Sequence, residues 1–324
     1  MNNNNVIGII GFGNYATALA HIISKNSNVI IYSRNEDAVE YFFKHKKNKN
    51  YLCDIKFNDN VKVTNCLNDV INNIDILILA IPAQAVQQFL IQNKDMISDS
   101  LVIVNTSKGL SIVEKSNISQ CISKICPNNI ICSIQGPGFA KEIVKELPTE
   151  LIVASNSETN AAKVVKILTT NFTKISISTD IIGCEYSSSL KNVYAIGAGL
   201  LSGFGYENNS LASYITNAFN EQNELIKAVG GKNDINAATL GDLILTCYSN
   251  LSRNKTFGEK YAKGEVVDMQ ASTIEGLATI EVAVEIADKN KLKTPILRGI
   301  QKILKKDIKS ITQSDKLMLM SINL

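Results

Sequence analysis

Lys191 is the only charged residue between Glu185 and Glu207, in the run Ser187-Ser188-Ser189-Leu190-Lys191-Asn192-Val193-Tyr194. A lysine isolated among small and apolar residues is partly desolvated, and desolvation brings an ammonium pKa toward neutrality, where the group serves as an acid or base. The same segment also fits a lysine whose methylene stem carries the charge to the surface. Asp242, in Leu240-Gly241-Asp242-Leu243, follows a glycine and precedes an apolar stretch. It reads either as a carboxylate for that chemistry or as a helix N-cap. Ser252-Arg253-Asn254 offers a guanidinium fork that meets two phosphate oxygens at once. As an isolated tripeptide it also describes an ordinary surface turn.

A fourth constellation stands near the N-terminus. Val6–Ile10 reads as a short buried strand, Gly11-Phe12-Gly13-Asn14-Tyr15-Ala16 as a GxGxxA turn, and Thr17–Ile23 as a helix. That arrangement is the dinucleotide fingerprint: Gly11 permits the tight turn, Gly13 the approach of a pyrophosphate, and Ala16 close helix–strand packing. The helix N-terminus favours the anion. The next strand, Asn28–Tyr32, ends at Ser33-Arg34, where an NAD-specific site carries an acidic residue. Arg34 instead accepts a 2′-phosphate, so both NAD and NADP stay open; a solvated surface arginine fits as well.

These residues need elements to position them. Asp75–Pro82, Leu101–Asn105, Ile130–Ile134, Leu151–Ala154 and Lys174–Ser178 read as further strands, several of them near-continuous apolar runs with helical patterns between. Such alternation implies an open, mostly parallel sheet. After about Asp180 the strands stop, and Glu185–Leu201, Leu211–Val229, Ile274–Asn290 and Pro295–Lys306 carry helical patterns. The expected fold is α/β: an N-terminal Rossmann-type, mostly parallel sheet domain over 1–180, then an all-α domain over 181–324, with Gly183 as a hinge point. A chain of 324 residues suits two domains.

Composition limits the function classes. Lys and Arg total 33 against 30 Asp and Glu, a net +3, which argues against a surface that wraps a nucleic acid. Only His21 and His45 are present, so a His-rich metal centre is not expected. Seven cysteines without CxxC spacing read as reduced thiols of a cytoplasmic protein. Met1–Asn5 has no basic region of a signal peptide, and the uncharged stretch Asn192–Tyr206 is too short to span a bilayer.

Taken in order, GFGNYATALA (Gly11–Ala20), AIPAQAV (Ala80–Val86), SKGL (Ser107–Leu110), GPGFAKE (Gly136–Glu142), LPTELIVAS (Leu147–Ser155), SLKNVYAI (Ser189–Ile196), GDLILTC (Gly241–Cys247), LSRNKTFG (Leu251–Gly258) and IEGLAT (Ile274–Thr279) cover nearly the whole chain. Together they resemble the NAD(P)-dependent glycerol-3-phosphate dehydrogenases of the bacterial soluble type. The resemblance implies Lys191 as catalytic acid/base, with Lys108 and Asp242 beside the reacting group. It implies substrate contacts from Lys108, Gly136, Lys191, Asn192, Asp242, Thr246, Ser252, Arg253 and Asn254. Cofactor contacts would come from Gly11, Gly13, Asn14, Tyr15, Arg34, Lys108, Ala140, Arg253 and Glu275. Departures are Asn14 and Tyr15, where the family has a small residue and Trp, the sequence Ala237–Gly241, where it is richer in glycine, and Thr273, where it is apolar.

What the resemblance implies is hydride transfer between NAD or NADP and dihydroxyacetone phosphate, giving sn-glycerol 3-phosphate for glycerophospholipid synthesis. It further implies a homodimer with small-molecule partners, no nucleic acid and no membrane. The rivals are another two-domain dehydrogenase, acting on a 3-hydroxy acid, a ketopantoate-like acid or a nucleotide sugar, and a catalytically inactive nucleotide sensor. The first shares the glycine turn but lacks SRN after GDL. The second has no need of a proton donor.

Overall fold

Apolar strands buried on both faces build the first half of the chain, as seen in a computed structural model that describes residues 5–72, 74–232, 234–269 and 274–321. Thr273, noted above, lies outside the described residues. The strands are β1 (Val6–Ile10), β2 (Asn28–Tyr32), β3 (Val61–Thr64), β4 (Ile76–Leu79), β5 (Val102–Asn105), β6 (Ile130–Gln135), β7 (Thr149–Ser155) and β8 (Thr173–Ser178). They form one sheet in the order β3-β2-β1-β4-β5-β6-β7-β8, parallel throughout except for the antiparallel β6–β7 pair. The first six positions follow the doubly wound dinucleotide-binding order, with its switch point between β1 and β4.

Side-chain alternation divides the sheet's two cores. Ile7, Ile9, Ile78 and Val104 pack with helices α1 (Asn14–Ile23), α2 (Glu36–His45) and the later α6 (Ala140–Ile143) and α7 (Glu158–Leu168). Ile10, Leu77, Leu79 and Ile103 pack on the other side with α3 (Leu67–Ile71), α4 (Ala83–Asn93) and α5 (Ile118–Ile125). Helices cover both faces, which is why β4 and β5 are apolar at nearly every position and buried at all of them. The strand β3 was not anticipated. It is a short edge strand whose Val-Lys-Val-Thr sequence is buried at only one of four positions, so it carries a weak pattern.

The chain divides into two compact units: residues 1–107 with 118–181, and residues 108–117 with 182–324. Among the described residues no strand follows β8. The second unit is built around α8 (Ile181–Gly203), whose residues from Gly183 to Leu201 are all buried. Gly183, expected as a hinge, is the third residue of that continuous helix. The remaining helices are α9 (Asn208–Ala228), α10 (Asp242–Tyr248), α11 (Arg253–Ala262), α12 (Glu275–Lys289), α13 (Pro295–Leu304) and α14 (Gln313–Leu319).

Small residues let α8 and α11 touch backbone to backbone. A Cβ at Gly258 would fall on the Ile196 carbonyl, and one at Gly199 on the Lys255 carbonyl. This contact draws the Ser252–Asn254 end of α11 and the Lys191–Asn192 turn of α8 into one core.

Candidate active site

In the second unit, three charged side chains meet. Lys191 Nζ lies 2.7 Å from Asp242 Oδ1, and Lys108 Nζ lies 3.0 Å from Asp242 Oδ2. Each lysine therefore takes its own oxygen of one carboxylate. Lys191 also donates to Thr246 Oγ1 at 3.1 Å, and Thr246 is held in turn by the Asp242 carbonyl. Lys191 and Asp242 are both buried. Burial lowers the Lys191 pKa to about 8; the neighbouring Lys108 charge adds to the fall and Asp242 opposes it.

Local structure explains how Asp242 points inward. A single π-helical turn, Ala237–Gly241, precedes α10 and is closed by a reciprocal cap between Asn236 and Thr239. Asp242 is then the first residue of α10, behind Gly241 at the N-cap position. Its carboxylate serves the two lysines, and the capping alternative raised by the sequence falls away.

A carboxamide chain surrounds this triangle. Asn192 Nδ2 donates to the Lys108 carbonyl and to Glu275 Oε2, both at 3.0 Å. Asn192 Oδ1 accepts from Asn254 Nδ2 at 3.1 Å, and Asn254 Oδ1 accepts from the Gly276 N–H at 3.0 Å. Four segments are thereby tied at one point: the residues after β5, α8, α11 and α12. Burial raises the Glu275 pKa, against the pull of Arg253, Lys191 and Lys108. Ser252 caps α11, its Oγ accepting from Lys255 N at 3.3 Å. Arg253, the first residue of α11, is exposed. Of the residues singled out from sequence, the second unit thus brings together Lys108, Lys191, Asn192, Asp242, Thr246, Asn254 and Glu275.

The first unit holds Gly11, Gly13, Asn14, Tyr15, Arg34, Gly136 and Ala140. Gly11 turns with φ +108°, and a Cβ there would strike the Ala80 carbonyl at 2.5 Å, so glycine is required. At Gly13 a Cβ would meet nothing within 4 Å, which leaves room for a ligand to reach the backbone. No side chain caps the N-terminus of α1, and a helix N-terminus suits an anion. Gly11, Gly13, Arg34 and Pro82 line one cavity of about 710 Å³. These features fit a dinucleotide. Asn14 is exposed at the start of α1, and Tyr15 packs partly buried against the core. Gly136 leaves β6 at φ +127°, and Ala140 opens α6.

One residue of this region escaped the sequence reading. Asn48 is buried, donates to the Phe12 carbonyl and to Thr17 Oγ1, both at 2.9 Å, and so braces the glycine turn. It stands in Lys46-Lys47-Asn48-Lys49-Asn50, a stretch that reads as solvated.

The model for the NAD-dependent glycerol-3-phosphate dehydrogenase N-terminus matches residues 6–161, and that for the C-terminus residues 180–313. A glycerol-3-phosphate dehydrogenase [NAD(P)+] from Wolbachia pipientis subsp. Culex pipiens is 35% identical, over 92% of this chain and 95% of that protein. One from Halothermothrix orenii is 30% identical over 97% and 94%. The crystal structure of glycerol-3-phosphate dehydrogenase from Coxiella burnetii matches with a TM-score of 0.88 at 26% identity, covering 98% of each chain. A PanE/ApbA family ketopantoate reductase from Ralstonia eutropha shares the fold alone, with a TM-score of 0.61 at 10% identity over 93% and 97%.

Proposed function

Since the chain belongs to the NAD-dependent glycerol-3-phosphate dehydrogenase family, we propose a division of labour in which its first unit binds NAD(P)H and the lysine pair of its second handles the proton. The reaction is the reversible reduction of dihydroxyacetone phosphate to sn-glycerol 3-phosphate. Bound NAD(P)H supplies the hydride.

Lys191, as the ammonium, donates an N–H to the C2 carbonyl oxygen. As negative charge develops there the proton passes across: the O–H bond forms, the N–H bond breaks, and a neutral amine remains. Lys108 adds a second positive charge beside the growing oxyanion. Asp242 accepts from both lysines and fixes their directions; Thr246 holds the third side of Lys191. In the reverse direction the neutral Lys191 amine takes the hydroxyl proton.

Arg253, exposed at the N-terminal end of α11, receives the substrate phosphate as a two-oxygen fork. Ser252 and Asn254 frame it, and Asn192 contributes from α8. Gly136 gives a side-chain-free approach to substrate. Gly11, Gly13, Asn14, Tyr15, Arg34, Ala140 and Glu275 serve the dinucleotide. The observation that carries this reading is the shared carboxylate of Asp242 between two lysines, one of them buried with its pKa lowered to about 8.

The test is Lys191→Ala. Turnover should fall by about 10²–10⁴, the usual share of a positioned proton donor, while the Kd for NADPH stays within about twofold. Turnover near that of the parent enzyme removes Lys191 from the proton-transfer role. Assaying dihydroxyacetone phosphate beside ketopantoate separates the substrate classes that the shared fold leaves together.

The enzyme further acts as a homodimer in the cytoplasm and supplies glycerol 3-phosphate for glycerophospholipid synthesis. Supporting this are the family resemblance and seven free cysteine thiols. No helix among the described residues is long and apolar enough to cross a membrane.

A further inference from the structure

Lys108 reaches the second unit on a ten-residue strap, Lys108–Asn117, spliced between β5 and α5 of the first. The strap is a closed loop. Leu110 and Asn117 form an antiparallel bridge, and the Ser111 N–H donates to the Ser116 carbonyl at 2.9 Å. Leu110 is fully buried in the core of the second unit.

Two residues of α8 grip the strap at its two ends. At one end Asn192 Nδ2 donates to the Lys108 carbonyl at 3.0 Å. At the other, Asn117 Nδ2 donates to Glu185 Oε2 at 2.6 Å, with both side chains buried. Glu185 and Asn192 stand two helical turns apart on the same side of α8, about 10 Å along its axis. The bridge between Leu110 and Asn117 transmits the Glu185 anchor to the Lys108 end. Asn192 belongs to the site already described; Glu185 and Asn117 do not.

We propose that Glu185 is a positioning residue for Lys108, acting through Asn117 and the closed strap to keep the lysine on Asp242. This rests on the catalytic reading given above. Without the anchor the strap loses the Asn117 tie to α8, and Lys108 departs from Asp242 by enough to weaken its hold on the oxyanion. Misplacement of that order costs rate rather than binding.

The groups facing Lys191 are Asp242 on α10, Lys108 on the strap, Glu275 on α12 and Cys247 on α10. Of these, loosening the strap moves only Lys108. Removing that positive charge raises the proton affinity of Lys191. A purely structural role for Glu185 leaves that proton affinity untouched.

The experiment measures steady-state reduction of dihydroxyacetone phosphate against pH for Glu185→Ala, Glu185→Gln and Lys191→Ala, normalised to folded protein. Glu185→Ala should lower kcat about tenfold, leave the KM for NADPH within about twofold, and move the alkaline limb to higher pH. Glu185→Gln, which keeps an oxygen to accept from Asn117, should restore both kcat and the limb. An unmoved limb in Glu185→Ala overturns the proposal, whether or not kcat falls, because stability loss alone gives that result. If Glu185→Ala does not fold, Asn117→Ala is read by the same two measures and decides. Normal turnover in Lys191→Ala instead overturns the catalytic reading itself, so the two failures are distinguishable.

Discussion

The buried Lys191 ammonium shares the Asp242 carboxylate with a second ammonium, Lys108, and the proposed mechanism ties the pH behaviour of the site to that arrangement. Burial draws the Lys191 pKa down to about 8, with Lys108 acting in the same direction and Asp242 against it. Ketone reduction needs the protonated form, so its kcat should decline as pH rises through about 8. Glycerol 3-phosphate oxidation needs the free amine, so its kcat should climb through that same value. Rate profiles in both directions check this; a limb absent from either removes Lys191 as the titrating group. Lys191 stood out in the sequence because it is the only charge between Glu185 and Glu207. From its own neighbours Asp242 reads equally as a cap, since a carboxylate after glycine suits either role, and only the resemblance set it beside the reacting group. Asn48, Asn117 and Glu185 gave no signal at all. Asn117 meets Glu185 from 68 residues away, and no local pattern encodes such a meeting.

The glycines of α8 and α11 do at the level of elements what Asp242 does at the level of residues: they fix a distance. Replacing Gly258 by Ala gains about 1 kcal/mol of helix propensity. It also drives a methyl group into the Ile196 backbone carbonyl, and overpacking costs about 1–3 kcal/mol. A carbonyl within a helix cannot rotate aside as a flexible side chain would, so the cost prevails. Gly258→Ala should lower the thermal midpoint by a few degrees and reduce kcat as α11 shifts from Asn192, both checked by thermal unfolding and assay. Strand existence was well marked in the sequence for every buried strand, because both faces are apolar. Strand direction was not, and the antiparallel β7 looks like its parallel neighbours. The edge strand β3 was missed because only Val61 of its four residues is buried, which leaves no apolar run to see.

Across the whole molecule, a net charge of +3 conceals a sorted distribution. Lys108 sits on a strap, Lys191 in a buried helix and Arg253 at a helix N-terminus, with the Asp242 carboxylate shared between the two lysines. Thiols are sorted as well: Cys53 and Cys66 are exposed, while Cys121, Cys126, Cys132, Cys184 and Cys247 are buried. Cys247, near Lys191, has its pKa pushed up to about 12 by burial. An aromatic disulfide reagent should therefore titrate two thiols in the native enzyme, and all seven after denaturation, without loss of activity at the first stage. Prompt reaction of more than two would contradict the burial pattern. The two-unit plan was legible from length and from the change of pattern near residue 180, but the strap was not, since nothing in Lys108–Asn117 announces a partner 68 residues downstream. That interleaving carries a consequence for biosynthesis. On the ribosome the strap emerges well before α8 exists to receive it, so the nascent first half waits with an undocked loop, and Lys108 takes its place beside Asp242 only when the second half has been made. A gene fragment encoding residues 182–324 alone would lack both that lysine and the Leu110 plug of its own core, whereas 1–181 and 182–324 expressed together hold every piece needed to rebuild it.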